Sequence, residues 1–454
     1  MGRRPNFEIA DLAIADAITS CVSIDPEYWD FRGRADRKAA HALLQYPAMM
    51  VPQMQGELID IVVSARPDIK RVCDPFVGSG TILTESMSRG LDFVGCDINP
   101  LAILTCLAKI GPYDSSTLIE RVERLFVRIT SDRDRSYAVT FPGQAKWFSG
   151  STNLRLSKIR RAIESESNVW VRRVFWVTLA ETIRRASNSR TSTFKLHVRS
   201  KAELAEPSVD PVATFKALLD DATRRLSEQE KIFTQKQVLT PTGHYIGEVD
   251  LILEDVSLLE NNHRGREKQF DLLITSPPYG DNASTVPYGQ FSYLPSQWIP
   301  LSELGLGSDN DVCSSTHGID SVSLGGSNVA GIERGYAVCE ISHSFQKCFT
   351  EILAIREDHA KKLGSFGFDL FVSIKAIANL VRLGGVLVWT LGNRRISGKE
   401  IPLAAIVEEM LRNTGAVTIL SFKRKIPSKR MAVRNNISGT MRTETVLIMR
   451  MANS

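Results

Sequence analysis

Two hydrophobic periods alternate along this chain. Lys70-Arg-Val-Cys-Asp-Pro-Phe76 and Leu91-Asp-Phe-Val-Gly-Cys-Asp97 are short apolar runs, each carrying a carboxylate at its end. Between them, Ile82 to Arg89 repeats at helical spacing until Gly90 stops it. The pattern predicts a β–loop–α–β unit with a glycine-rich turn at Gly78 and Gly80, and Asn99-Pro100 opens a further helix through Ile110. Upstream, residues 1–69 read mostly helical, with an amphipathic stretch from Asp11 to Ser23. A second helix there sets Met54, Leu58, Ile61 and Val62 on one face.

Residues 112–245 break the alternation. Helical patterns cover Leu118–Arg128, Leu154–Glu164, Val169–Ser187 and Asp210–Gln235. They read as a helical insertion between two sheet strands, with the Ser/Thr/Arg-rich segment 184–201 as an exposed basic loop or ribbon. Trp147, Trp170 and Trp176 in this insertion read as core residues. Strands are then expected at Gly247–Leu253 and Asp271–Thr275, the second ending in Ser276-Pro277-Pro278-Tyr279. Residues 303–338, rich in Gly, Ser, Asp and Asn, read as a long mobile surface segment. Helices are expected over 338–363, 370–382 and 401–412, with strands at Val386–Leu391, Ala416–Phe422 and Thr445–Met451.

Strands alternating with helices argue for an open, doubly wound, mostly parallel α/β sheet of Rossmann-like type, helices on both faces, interrupted by the helical insertion. Ligands of such sheets bind beyond the carboxyl ends of the strands. Asp74, Gly78, Gly80, Asp97, Asp255 and Ser276–Tyr279 all fall at such ends.

Composition narrows the class. A chain of 454 residues is long enough for one large domain with insertions or for two to three domains. With 43% hydrophobic and 24% charged residues it reads as an ordinary globular protein. The reading expects no membrane span and no secretory signal. The seven cysteines are odd in number and form no Cys-x-x-Cys pair, which favours free buried thiols in a reducing cytoplasm. The histidines show no ligand spacing, so no metal site is expected. The net charge of +5 is mild, but it is segregated. No carboxylate lies between Glu181 and Glu203, where Arg184, Arg185 and Arg190 fall, nor between Glu409 and Glu444, where Lys425, Lys429 and Arg430 fall. Such runs point to a polyanionic partner.

Glycines at 78 and 80 let backbone approach a ligand, and the following helix offers free N–H groups. The third glycine of a dinucleotide fingerprint is missing, and no Lys-Ser/Thr completes a Walker loop. Asp97 sits where a carboxylate meets ribose hydroxyls. The combination suits a nucleoside without a phosphate chain, as in S-adenosylmethionine (SAM). Ser276, the Pro277 carbonyl and the Tyr279 ring suit a planar group bearing an amine.

Asp74-Pro-Phe-Val-Gly-Ser-Gly-Thr81, with Glu85, Gly95, Asp97, Asn99-Pro100 and Ala102, resembles the cofactor motif of SAM-dependent DNA amino-methyltransferases of the N4-cytosine/N6-adenine, restriction–modification-like type. Thr275-Ser-Pro-Pro-Tyr279 resembles their catalytic motif. The resemblance covers 40–111, 247–300 and 340–400, about half the chain, and leaves the helical insertion unexplained. It implies a seven-stranded methyltransferase sheet with a terminal hairpin, SAM as cofactor, duplex DNA as substrate and a prokaryotic, nucleoid-associated setting, and it admits a cognate restriction endonuclease acting on the same site. Asp74, Gly78 and Gly80 would line the methionine end of SAM, with Phe76 and Thr81 in the same turn and Pro47 nearby. Asp97 would hold the ribose, Ile98 would pack on the adenine and Asp255 would approach its amine. Ser276, Pro277, Pro278 and Tyr279 would carry catalysis on a base flipped from the duplex, and Gly385 to Asn393 would close the target-base pocket. Arg184, Arg185, Arg190, Lys425, Lys429 and Arg430 would meet DNA.

The same reading divides the chain into 1–111 (N-terminal helices and SAM-binding half), 112–245 (insertion, target recognition), 246–302 (catalytic half), 303–338 (flexible insertion) and 339–454 (end of the sheet with a basic hairpin). Ser before Pro-Pro resembles the N4-cytosine enzymes more than the N6-adenine ones. An RNA base methyltransferase and a non-catalytic DNA-binding scaffold are the alternatives. The first lacks a recognisable RNA-binding module, and the second should have lost the glycines or the Pro-Pro loop. A nicotinamide dehydrogenase leaves that loop without a role.

Overall fold

The protein is described by a computed structural model, whose described residues are 7–34, 36–205, 209–262, 270–280, 287–308, 311–426 and 443–452. The strands are β1 (Arg71–Asp74), β2 (Asp92–Asp97), β3 (Val249–Leu253), β4 (Phe270–Thr275), β5 (Val381–Leu391), β6 (Arg394–Ile396), β7 (Lys399–Ile401), β8 (Ala416–Lys425) and β9 (Thr443–Met451). Seven form one sheet in the order β3-β2-β1-β4-β5-β9-β8, while β6 and β7 pair as a separate hairpin. The first five strands of that order run parallel, and β9 runs antiparallel to both neighbours. The doubly wound, mostly parallel seven-stranded sheet is therefore as expected.

Both faces of the sheet are covered, which is why its strands read as continuous apolar runs. Val72, Phe93, Leu272, Ile274, Val386 and Val388 point into one core. Cys73, Val94, Cys96, Leu273, Leu387 and Trp389 point into the other. The first core is closed by α1 (Phe7–Ile24), α2 (Pro52–Ala65), α3 (Thr81–Met87), α4 (Pro100–Lys109) and the insertion helices α5 (Ser115–Ser131), α6 (Gln144–Trp147), α7 (Gly150–Glu164), α8 (Val169–Ala186) and α10 (Pro211–Gln235), while the short α9 (Lys201–Ala205) lies outside it. The insertion is not a loose appendage: Trp147, Trp170, Trp176, Phe175 and Phe215 belong to the same continuous core as the sheet. Side-chain caps fix where these helices start. Asn99, Asp114, Ser149, Asn168 and Asp210 each accept a hydrogen bond from a backbone N–H in the first turn that follows.

Between β3 and β5 come α11 (Leu259–Asn262), α12 (Tyr288–Trp298), α13 (Gly318–Val322), α14 (Gly331–Cys339), α15 (His343–Leu353) and α16 (Glu357–Leu380), and α17 (Leu403–Asn413) precedes β8. Two expectations change here. The single helix expected over 338–363 is broken, because Ser342 caps a new helix at Phe345 N and Arg356 adopts extended backbone. α16 is long and apolar enough to cross a membrane by length and composition alone. Yet 67% of its apolar window is buried within the protein, so it is a core helix. The segment expected to be a mobile surface loop instead packs. Gly325 N donates to Asp369 of α16, and Asp320 accepts from Gly289 N of α12. All seven cysteines are free thiols; Cys21 and Cys339 are partly exposed and the rest are buried.

Candidate functional site

The carboxyl ends of β1, β2 and β4 lie side by side, and their loops surround a cavity with about 830 Å3 of empty space, part of it open to solvent. Gly78 and Gly80 both have positive φ, +49° and +77°, which lets the β1 loop turn back over the sheet. The turn is anchored from beneath: Val77 N donates to Cys96 O, Lys109 Nζ donates to Ser79 O at 2.6 Å, and Cys106 Sγ to Gly78 O at 3.4 Å. Lys109 is fully buried, and desolvation pulls its ammonium down to about 8.

Asp97 ends β2 facing this loop. Its Oδ2 accepts from Gly78 N at 2.8 Å and its Oδ1 from Asn99 N at 2.8 Å. A carboxylate has about four acceptor sites, so capacity remains for ligand hydroxyls. Burial raises the Asp97 carboxyl to about 6 against these stabilising bonds. Asp74, the other acidic strand end, is 0% exposed and stands behind the loop. Its Oδ1 accepts from Phe76 N at 3.1 Å and from Thr275 Oγ1 at 2.6 Å, while its Oδ2 is buried without a partner. Desolvation raises it to about 7, opposed by those two bonds. Asp74 thus ties the glycine turn of β1 to the last residue of β4. Its Oδ2 is a desolvated carboxylate oxygen behind the glycine turn, which is costly to keep ionised.

Of the residues expected at the cofactor, Pro47, Phe76, Gly78, Thr81, Asp97, Ile98 and Asp255 line the cavity, and Asp74 and Gly80 do not. Gly80 instead packs against α4, where a Cβ would meet Cys106 Sγ at 2.9 Å. Asp255 accepts from Ser257 N at 2.7 Å, a turn that fixes its carboxylate. The rim also contains residues the sequence reading missed. Ile319, Val322, Ser323 and Leu324 of the supposed surface segment cover the cavity, and Tyr288 opens α12 onto it. No periodicity announces a five-residue helix in a Gly/Ser-rich stretch, so hydropathy carried no signal for it. Tyr46, Asn99 and Ser292 form a buried triad beneath the rim. Asn99 Nδ2 donates to Tyr46 Oη at 2.7 Å and to Ser292 Oγ at 2.8 Å.

Ser276 and Pro278 also line the cavity, so the loop after β4 shares one space with the glycine turn; Pro277 and Tyr279 lie behind it. Ser276 Oγ and the Tyr279 hydroxyl are 3.0 Å apart, and the same hydroxyl donates to Thr390 O at 3.4 Å. Gly280 follows with φ +75° against the Phe366 ring.

The basic candidates divide. Arg185 pairs with Glu181 at 2.8 Å, Arg190 with Glu203 at 3.2 Å, and Lys425 with Glu27 at 2.8 Å, all at the surface. Arg184 is largely buried, 4.1 Å from the Phe291 ring centroid. Lys429 and Arg430 lie outside the described residues. Arg424, part of the same basic run, is structural: it is 3% exposed, pairs with Glu444 and donates to Trp29 O. The β6–β7 hairpin was also unforeseen. Its turn residues Ser397 and Gly398 both have positive φ, which matches a two-residue hairpin turn.

A glycine turn and a ribose-type carboxylate facing a Ser-Pro-Pro-Tyr loop across one cavity define a nucleoside-dependent group-transfer site. The lining fits SAM: Asp97 keeps acceptor capacity for its hydroxyls and the apolar rim suits its flat ring, while the buried Asp74 lies outside the lining. A family model described as D12 class N6 adenine-specific DNA methyltransferase matches residues 56–207. The chain is 28% identical over 458 residues to the Type II methyltransferase M.MvaI of Kocuria varians, covering 97% of each protein. It is 30% identical over 82 residues to the Type II methyltransferase M.MjaII of Methanocaldococcus jannaschii, covering 18% of this chain and 15% of that one. A solved rRNA methyltransferase, aviRa of Streptomyces viridochromogenes, is similar with a TM-score of 0.33 and 11% identity over 90% of this chain and 87% of its own, too remote to bear on the fold. The chain is thus similar to a Type II methyltransferase over nearly its whole length and to the D12-class N6 adenine-specific DNA methyltransferases over residues 56–207.

Proposed function

We propose that the protein methylates the exocyclic N4 amine of a cytosine flipped out of duplex DNA within a specific site. The observation that carries this reading is Ser276, which faces the cofactor cavity from the end of β4 with Pro278 beside it. An exocyclic amine is conjugated with its ring and is a poor nucleophile. Drawing its two N–H groups toward Ser276 Oγ and the Pro277 carbonyl favours a pyramidal nitrogen with an available lone pair. SAM, when bound, supplies a methyl group on a cationic sulfur. The protein's remaining task is positioning. On arrival of the base, the amine takes the place of the Tyr279 hydroxyl at Ser276 Oγ, and the freed ring stacks on the base.

Adenine N6 is the second reading, favoured by the description of the D12 family model. That match ends at residue 207, so it spans the glycine turn and part of the insertion but none of the residues proposed to touch the base. Mass spectrometry of nucleosides from duplex DNA incubated with the protein and SAM decides between them. N4-methylcytosine supports the assignment, and N6-methyladenine alone overturns it. The basic residues Arg185, Arg190 and Lys425 are proposed to face the DNA, exchanging their surface carboxylates for phosphates. A cognate endonuclease acting on the same sequence belongs to the same proposal.

A further inference from the structure

We infer that a notch between the end of α8, the ribbon 189–198 and the first turns of α12 is a binding site for one phosphodiester of the DNA backbone. The inference rests on the DNA-methyltransferase reading but not on which base is methylated.

The notch is a shallow site with about 260 Å3 of empty space, much of it open to solvent, and is lined by Arg184, Arg190 and Lys195 together with the hydroxyl residues Ser187, Ser189 and Thr193. The Arg184 guanidinium lies 4.1 Å from the Phe291 ring centroid and 5.6 Å from that of Phe194. Its Nη1 is buried without a hydrogen-bond partner, and among the described residues no carboxylate forms an ion pair with it. On its own helix, Glu181 gives Oε1 to Arg185 at 2.8 Å, while its Oε2 is buried without a hydrogen bond and acts on Arg184 only through space. A desolvated, unpaired cation is costly to keep unless a ligand completes it. A planar guanidinium supported on aromatic rings is suited to a phosphate, whose oxygens match its fork.

The ribbon is rigid enough to hold such a site. Ser189 and Val198 bridge, Arg190 N donates to His197 O at 2.8 Å, and Leu196 N donates to Gln290 Oε1 at 3.0 Å. That last bond fastens the ribbon to α12, the helix whose first residue, Tyr288, lines the cofactor cavity. Phe291, under Arg184, also makes an edge contact with Tyr46 at 5.4 Å between centroids. A phosphate held in the notch is therefore fixed relative to SAM. The chain from 182 to 202 carries no Asp or Glu; Glu203, just beyond it, pairs with Arg190 at 3.2 Å on the exposed side, a contact that a backbone phosphate would replace.

The test couples protein and DNA changes. Duplexes carrying the methylation site, with single neutral methylphosphonates scanned along each strand, are bound by wild type and by Arg190→Gln/Lys195→Gln, with anisotropy as the readout. Wild type is expected to lose about tenfold in affinity at one position, the size of one charge-assisted contact. The double variant is expected to be indifferent there, and its log–log salt slope to shrink by about 0.9 for each contact removed. Arg184→Lys keeps the charge without the fork, so it should weaken binding while leaving that slope unchanged. Thermal melting and SAM affinity report whether the variants fold. If no single phosphate couples to Arg190 and Lys195, the site does not exist. If Arg184→Lys lowers melting and SAM affinity without touching the methylphosphonate pattern, the arginine is only packing. Binding is read without methyl transfer, so a wrong base assignment leaves these outcomes unaffected.

Discussion

Asp74→Asn should stabilise the SAM-free protein and impair its function, and pH separates the two effects. Asp74 is fully buried and its carboxyl is raised to about 7 by desolvation, from an ordinary value near 3.8. A carboxyl raised on folding contributes stability that is complete below its unfolded pKa and is lost as pH rises through the folded one. Holding Asp74 ionised at pH 8 therefore costs on the order of 4 kcal/mol, at about 1.4 kcal/mol per pH unit. Asparagine removes that cost and keeps an acceptor for Phe76 N and Thr275 Oγ1. It leaves an unpaired amide where Oδ2 was, at about 1–3 kcal/mol. The net expectation is a gain of about 1–3 kcal/mol at pH 8 and no gain at pH 5, read by urea unfolding. SAM binding should respond in the opposite sense. A cationic ligand favours the ionised carboxylates, so wild-type affinity should rise with pH through the Asp97 range near 6 and the Asp74 range near 7. Calorimetry across pH 5–8.5 should show the upper step missing in Asp74→Asn while the lower one survives. Equal destabilisation of the variant at both pH values, or a wild-type affinity flat in pH, would refute the reasoning.

Four further outcomes are expected. Ser276→Ala should lower kcat by about 10²–10³, the range for losing one preorganised polar contact, with SAM affinity nearly unchanged. Tyr279→Phe, which keeps the ring, should retain far more activity than Tyr279→Ala; equal losses would remove stacking from the account. Gly80→Ala combines a φ of +77° with a Cβ 2.9 Å from Cys106 Sγ. Denaturant unfolding should show a loss of about 2–4 kcal/mol, of which a Cys106→Ala background restores only the packing part. Ile319→Ala/Leu324→Ala trims the cover of the cavity, so stopped-flow should show SAM leaving at least about fivefold faster; an unchanged rate would show that the cover does not hold the ligand.

The sheet was legible because buried parallel strands must be apolar on both faces. Val72, Cys73 and Phe93, Val94 announce that without any knowledge of their neighbours, and the capping residues Asn99 and Asp210 mark helix starts from local chemistry alone. The two loops were legible too, since Gly78 and Gly80 satisfy a local backbone requirement and Pro277-Pro278 end a strand. Less visible was how the chain divides its labour between near-identical residue types. Asp74 and Asp97 look alike as acidic strand ends, yet one lines the cavity and the other braces Thr275 from behind. Arg184 and Arg185 are adjacent in a basic run, yet one packs half-buried over the Phe291 ring and the other pairs on the surface. Arg424 and Lys425 divide in the same way.

The sequence by itself determined the strand–helix alternation, the glycine turn and the Ser-Pro-Pro-Tyr loop, because these follow from constraints spanning a few residues. Only the tertiary structure decided that the Gly/Ser-rich segment around Ile319 and Leu324 covers the cofactor cavity, and that Asp74 joins the β1 and β4 loops. It also showed that the basic ribbon is fastened to α12 through Leu196 and Gln290. Each of these depends on contacts between residues far apart in the chain, and such contacts leave no period in hydropathy and no local backbone demand from which to read them.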